Sequence, residues 1–201
     1  MSLSRPALRR TLLAAGAAVA ALTLAACSGD GGTQGGSGNS NFVSGKDSIE
    51  TVAKADRKEA PTLDGEMLDG KRLDTSSSAY KGKVVVVNVW GSWCPPCRAE
   101  AKYYVKLSKE MKDQGVEFVG INTRDPNKGP AIEFEKEFGV EYPSFYDPAG
   151  KLILRFKGNL SLQGIPAVLV IDRDGKIAAR ALGGVNDKHL HKMIDPLIAE
   201  K

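Results

Sequence analysis

The chain has 201 residues, of which 42% are apolar and 26% charged, the balance of a globular protein rather than of a disordered or fibrous one. This length suits one folded domain with appended segments. The net charge of +4 includes three arginines in the N-terminal segment, and no basic patch elsewhere indicates a nucleic-acid partner.

The N-terminal segment has the pattern of a bacterial export signal. Basic residues precede an apolar run from Leu12 to Ala26, which is roughly half the length that a membrane-spanning helix needs once its alanines are discounted. The run ends in Leu24-Ala25-Ala26-Cys27, which resembles the lipobox at which cleavage exposes a cysteine for acylation. We therefore expect residues 1–26 to be a signal peptide and Cys27 to anchor the protein by lipid on the extracytoplasmic face of the cell membrane. The alternative is an ordinary signal peptide that leaves Cys27 as a spare thiol.

Residues 27–59 are predicted to be a flexible tether. Residues 28–41 are mainly Gly, Ser, Asn and other polar types, which cannot bury enough apolar surface to offset the entropy of ordering. A short helix is predicted within residues 42–59 from the spacing of the apolar side chains. The folded domain is expected to span residues 60–201.

The elements predicted in this domain indicate an α/β fold with a mixed sheet. In chain order they are strands at 62–63 and 71–73 that form a hairpin, a strand at 84–89, a helix at 96–112, a strand at 116–122, helices at 131–138 and 151–156, strands at 167–171 and 176–182, and a helix at 187–199. The β-branched run Val84–Val89 is apolar on both faces, as expected for a central strand covered by helices. This strand, the helix at 96–112 and the strand at 116–122 are predicted to form a right-handed crossover, in which the two strands are parallel. The turn at 172–175 makes the last strand antiparallel to its predecessor.

The chemistry of the chain is concentrated in Trp93-Cys94-Pro95-Pro96-Cys97, between a buried strand and the start of a helix. Unpaired N–H groups at a helix N-terminus favour a thiolate, so the pKa of Cys94 is expected to lie below the free value of about 8.5. Cys97 lies one helical turn on, close enough to attack a mixed disulfide at Cys94. Cys94 is thus the predicted nucleophile and Cys97 the resolving cysteine, with a Cys94-Cys97 disulfide in the oxidised state. Pro95 and Pro96 suit a first turn that donates no hydrogen bonds, and they stiffen the loop.

Two other roles for the cysteine pair are disfavoured. A zinc site needs further ligands, but His189 and His191 are spaced to face different sides of a helix and Cys27 is expected to be acylated. A purely structural disulfide would close so short a loop that it would constrain the unfolded chain little. No metal and no cofactor are predicted.

Several motifs resemble the TlpA/ResA-like branch of the thioredoxin superfamily, which is related to the redoxins. They are Tyr80-Lys81-Gly82-Lys83, the valine strand, the run from Asn88 to Arg98 and Gly164-Ile165-Pro166. The resemblance covers roughly residues 60–201. It implies a thioredoxin-like fold in which helices flank a central mixed sheet, with an insertion around residues 125–158 after the first βαβ unit.

The same resemblance assigns residues around the cysteines. It implies that Pro166 is cis, although by base rate alone a trans proline that opens a strand would be favoured. The backbone of Ile165 would pair with an extended substrate segment, and Trp93 would shape the site together with the two prolines. Asn88 stands where thioredoxins proper have a buried aspartate. The resemblance places an acid near the end of the second crossover strand, and Asp125 is the best match for proton handling, the alternative being a solvated turn residue.

In function, the resemblance implies a thiol-disulfide oxidoreductase, and we expect the protein to be a monomer. It would receive electrons from a membrane dithiol donor and reduce a disulfide in apocytochrome c or another exported protein. An oxidase for the folding of exported proteins is the main alternative, because the potentials of dithiol proteins range from about −270 to about −120 mV. A redoxin-type peroxidase and a Cu(I) carrier are further alternatives.

Overall fold

The structure is a computed structural model that describes residues 42–44, 48–156 and 158–200. The predicted signal peptide and Cys27 lie outside the described residues. The strands in this part of the chain are β1 (Val43–Ser44), β2 (Ile49–Thr51), β3 (Asp64–Glu66), β4 (Arg72–Asp74), β5 (Val84–Trp90), β6 (Val116–Thr123), β7 (Ser144–Asp147), β8 (Ala167–Ile171) and β9 (Ile177–Leu182). The helices are α1 (Pro95–Glu110), α2 (Lys128–Phe138), α3 (Lys151–Arg155) and α4 (Asp187–Ala199), with short 3-10 turns at Lys54–Asp56 and Lys112–Gln114.

One mixed sheet carries most of the strands, in the order β1-β2-β9-β8-β5-β6-β7. Strand β6 pairs in parallel with β5 and with β7, and the other neighbours are antiparallel. Strands β3 and β4 form a separate hairpin, as predicted, although its first strand lies slightly later in the chain than expected. The predicted α/β fold, thioredoxin-like with a mixed sheet between helices, is confirmed.

Strand β5 is an interior strand of the sheet, between β8 and β6, and every one of its residues is buried. One face of the sheet packs on α1 and α4, through side chains such as Val86, Leu107 and Met193. The opposite face packs on α3 and the segment around Leu63. A β-branched strand buried on both faces therefore fixes the point at which the chain emerges into α1 and the cysteine motif.

The N-terminal boundary of the domain differs from the prediction. Residues 49–51 form strand β2 beside β9, whereas the sequence predicts that they belong to a helix. The apolar pattern in this segment is too short to distinguish a strand from a helix. Arg57 then lies within 3.0 Å of Asp172 and 2.6 Å of Glu200, close to the C-terminus. The main sheet thus includes β1 and β2, which lie before the predicted domain start at residue 60.

Strand β7 was also absent from the sequence prediction. It lies in the expected insertion, between α2 and α3, and pairs with the last residues of β6. Its four residues, Ser-Phe-Tyr-Asp, mix polar and aromatic types and show no strand-length apolar run. The insertion therefore extends the main sheet.

In the described part of the chain, no helix is long and apolar enough to cross a membrane.

Candidate active site

Cys94 and Cys97 form a disulfide at the N-terminus of α1. The S–S distance is 2.05 Å and the two Cα atoms are 5.3 Å apart. Cys94 is the N-cap residue of the helix, and its Sγ accepts a hydrogen bond from the backbone N–H of Cys97 at 3.2 Å. Pro95 and Pro96 occupy the first turn, where no N–H needs a partner within the helix. The helix terminus thus directs partial positive charge and one N–H group at the sulfur of Cys94.

Trp93 forms an exposed rim beside the disulfide. Its side chain is 41% exposed, whereas Cys94 and Cys97 each expose only 2% of their surface. The indole Nε1 donates to the carbonyl oxygen of Thr123 at 3.2 Å, which fixes the ring over the loop. A Cβ atom on Gly91 would lie 2.5 Å from that nitrogen, so only glycine leaves room for the ring. Trp93 is therefore an exposed ring held in place beside the buried Cys94.

The segment before β8 forms the opposite rim. The Ile165-Pro166 peptide bond is cis, as the family resemblance implied. The carbonyl of Pro166 accepts a hydrogen bond from Gly183 at 2.8 Å, and Ala167 begins the strand that pairs with β5. Ile165 packs against the cluster that buries both cysteines, so it lies beside them and just outside the sheet.

Asp125 lies beneath the loop that carries Trp93. The carboxylate is 1% exposed and accepts hydrogen bonds from the backbone N–H of Ser92 at 2.9 Å and from its hydroxyl. Asn122 donates a third bond at 2.6 Å. The alternative of a solvated turn residue is therefore wrong, and the side chain ties the loop to the end of β6.

Glu100 is a buried carboxyl that sequence reasoning missed. It lies three residues after Cys97 on α1 and is 3% exposed, and one oxygen accepts from the backbone N–H of Val185 at 2.8 Å. Burial raises the pKa of Glu100 to about 8, and the hydrogen bond from Val185 only partly opposes this. Its spacing from Cys97 was the available signal, because positions three apart share one helix face.

A polar band crosses the sheet below these groups. Asn88, Gly120 and Ser144 lie in register on β5, β6 and β7, and Asn88 donates to the hydroxyl of Tyr142 at 3.2 Å. A Cβ atom on Gly120 would lie 2.2 Å from the hydroxyl oxygen of Ser144. Close by, burial raises the pKa of Glu135 to about 7. Asn88, which stands where thioredoxins proper have a buried aspartate, is therefore a neutral hydrogen-bonding group. On the helix that carries the cysteines, the buried acid is Glu100.

The structure brings most of the predicted site residues together. The Trp93–Cys97 motif, which follows β5, lies next to Ile165 and Pro166, which precede the neighbouring strand β8. Asp125 lies below the loop that carries the motif. Among the described residues, no three His, Cys, Asp or Glu side chains form a group that could hold a metal ion. The chemical capacity of the site lies in the two sulfurs and in the buried carboxyls of Glu100 and Asp125.

Comparison with known proteins gives consistent matches. The Redoxin family model matches residues 54–194. The thiol-disulfide oxidoreductase ResA of Bacillus cereus is 32% identical, over 63% of this chain and 69% of its own length. The thiol:disulfide interchange protein HelX of Rhodobacter capsulatus is 34% identical, over 71% and 76%.

Solved structures agree with these sequence matches. A DsbF homologue from Corynebacterium diphtheriae has a TM-score of 0.70 at 33% identity, covering 76% of this chain and 95% of its own. A secreted thiol-disulfide isomerase from Corynebacterium glutamicum has a TM-score of 0.71 at 30% identity, covering 76% and 93%. Similarity in sequence and in structure therefore extends over the part of the chain that carries the cysteine site.

Proposed function

Since this chain belongs to the Redoxin family, in the TlpA/ResA-like branch of the thioredoxin superfamily, and is a thiol-disulfide oxidoreductase, we propose that it reduces disulfides of exported proteins. Apocytochrome c is the candidate substrate, and the protein would act while tethered to the cell membrane. The observation that carries the proposal is the Cys94-Cys97 disulfide at a helix N-terminus, beside an Ile165 backbone that lies outside the sheet.

The proposed reaction begins with the reduced protein. The thiolate of Cys94 attacks a substrate disulfide, so that a bond forms between Cys94 Sγ and one substrate sulfur while the other substrate sulfur leaves and takes up a proton. Cys97 then loses its proton and attacks Cys94 Sγ. The mixed disulfide breaks, the second substrate sulfur leaves, and the Cys94-Cys97 bond forms. Two electrons pass to the substrate, and a membrane dithiol donor would restore the reduced pair by the reverse exchange.

The N-terminus of α1 favours the attack by Cys94, and a buried acid favours the attack by Cys97. The N–H of Cys97 and the positive end of α1 stabilise a thiolate at Cys94 more than a thiol. Cys97 needs a proton acceptor, and the two buried carboxyls are Asp125, which binds the loop before Cys94, and Glu100, which lies on the same helix as Cys97. We assign proton exchange to Glu100, because its pKa of about 8 is poised near neutrality and it shares a helix face with Cys97. Asp125, which is held by three donors, positions the loop of Ser92 and Trp93.

The membrane tether rests on the sequence. The proposal is that residues 1–26 are removed, that Cys27 is acylated, and that the polar residues up to about 41 link it to the domain, whose sheet begins at β1. Mass spectrometry of the protein purified from its cell membrane should find acyl chains on an N-terminal Cys27. Release of a Cys27→Ser variant into the medium or periplasm would support the anchor, and unchanged membrane retention without acyl chains would contradict it.

The proposed substrate class can be tested by trapping. A Cys97→Ala variant should accumulate mixed disulfides through Cys94, because the resolving step is lost. Mass spectrometry should find exported proteins with paired cysteines, apocytochrome c among them, and a Cys94→Ala/Cys97→Ala variant should trap none. A deletion strain that makes normal covalent cytochrome c, with no exported protein accumulating in oxidised form, would contradict the proposal.

A further inference from the structure

Arg124 holds an exposed cation beside the active site in an unusual backbone conformation. Its φ is +60°, in the left-handed region that glycine and asparagine adopt at lower cost than arginine. It follows β6 directly and precedes the buried Asp125. Such conformations concentrate at functional sites, where the surrounding structure compensates for their cost.

Two contacts fix the side chain of Arg124. Its Cζ lies 4.3 Å from the centre of the Trp93 ring, a cation–π contact, and one guanidinium nitrogen donates to the carbonyl oxygen of Leu162 at 3.3 Å. Trp93 adjoins the nucleophile, and Leu162 lies on the segment that leads to Ile165 and Pro166. Arg124 therefore spans the two rims between which a substrate segment would lie.

The positive charge of Arg124 has no carboxylate partner among the described residues. Other cations in this region of the molecule are paired: Arg98 lies 2.5 Å from Glu137, and Lys128 lies 2.6 Å from Glu66. The neighbouring carboxylate of Asp125 points inward to Ser92. Arg124 thus presents a fixed and unneutralised guanidinium against the ring of Trp93, the residue before Cys94.

We propose that Arg124 selects partner segments that carry a carboxylate close to their reactive cysteine. A guanidinium binds a carboxylate through directed hydrogen bonds, and a prepositioned one loses little side-chain freedom on binding. Arg124 contacts the ring of the residue before Cys94, and an extended chain advances about 3.3 Å per residue, so the carboxylate would lie within a few residues of the reactive cysteine. The proposal rests on the proposed function, in which exported proteins bind along Ile165, and it names the charge pattern of those proteins.

Peptide disulfides of controlled charge test this preference. Three disulfide-linked peptide dimers would share one sequence and differ only in an aspartate, asparagine or lysine two residues before the cysteine, and a second set would place the variable residue two residues after it. Stopped-flow tryptophan fluorescence would give the rate constant for reduction by the reduced protein. In at least one set we expect the aspartate peptide to react about fivefold faster than the asparagine peptide and the lysine peptide to react slowest, with the differences shrinking at high salt.

Variants separate the side chain from the rest of the surface. Arg124→Gln and Arg124→Gly should both lose the preference, and the glycine variant should fold at least as well because it suits a positive φ. Arg155→Gln removes an exposed arginine that pairs with Asp64 on another part of the surface, and it should keep the preference. Equal rates for the three peptides in both sets, or a preference that survives in both Arg124 variants, would overturn the inference. Failure of the wild-type protein to reduce any of the peptides would instead overturn the proposed function on which the inference rests.

Discussion

Replacing Glu100 by glutamine should make the oxidised protein more stable at alkaline pH. The folded-state pKa of about 8 lies above the ordinary value of 4.5 because burial disfavours the carboxylate. The group therefore contributes stability that is fully present below about pH 4.5 and is lost as the pH rises through 8. Linkage between these two pKa values gives a loss of about 3 kcal/mol in the free energy of unfolding between pH 5 and pH 8. Glutamine keeps an acceptor for the N–H of Val185 and has no such loss.

Urea unfolding of the oxidised protein at pH 5 and pH 8 measures this effect. The difference in unfolding free energy between wild type and Glu100→Gln should be about 3 kcal/mol larger at pH 8 than at pH 5, because other titrating groups, Glu135 included, cancel in the comparison. Glu110→Gln, an exposed position on the same helix, is the matched control and should show no such difference. A Glu100→Gln effect that is the same at both pH values would show that burial does not raise the pKa of Glu100 in the folded protein. The variant should also resolve the mixed disulfide at least about tenfold more slowly at pH 8, as rapid-quench trapping would show.

Three further substitutions test the supports of the site and of the domain boundary. Asp125→Asn turns an amide hydrogen toward a donor such as Ser92, so it should lower the free energy of unfolding by about 2 kcal/mol in urea titrations, and an unchanged midpoint would contradict its positioning role. Arg57→Met leaves Asp172 buried without its partner and should cost about 3 kcal/mol in the same measurement, whereas a neutral result would mean that the segment before residue 60 is dispensable. Trp93→Ala removes an exposed ring, so the melting temperature should change little while peptide-disulfide reduction slows about fivefold, and an unchanged rate would exclude the ring from substrate contact.

The sequence predicted the fold where pattern and length agreed. The valine-rich β5, helix α1 and strand β6 form the predicted crossover. The valine run was readable because a strand buried on both faces is apolar at every position or nearly so. Strands β2 and β7 were missed because three or four residues carry too little periodicity to separate a strand from a helix or loop. Their place in the sheet depends on β9 and β6, which lie far along the chain or across a helix.

The site was predictable to the extent that its chemistry is local. Cys94 and Cys97 lie in one motif and were predicted from it directly. Ile165 and Pro166 were assigned to the site only through the family resemblance, because their separation from the cysteines along the chain does not show that they are close in space. The burial of Asp125 and of Glu100 depends on Ser92 and on Val185, respectively, which only tertiary contacts bring close. A carboxyl on a helix surface and one buried against a loop look alike in sequence, so Glu100 emerged only from the structure.

The reduction potential of the Cys94-Cys97 pair distinguishes a reductant of exported proteins from an oxidase. The protein would be equilibrated with defined glutathione or dithiothreitol buffers, and the oxidised fraction counted by thiol alkylation and mass spectrometry. A reductant of exported proteins should have a potential near or below about −270 mV, the value of thioredoxin. A potential near about −120 mV would instead identify the protein as an oxidase of exported proteins.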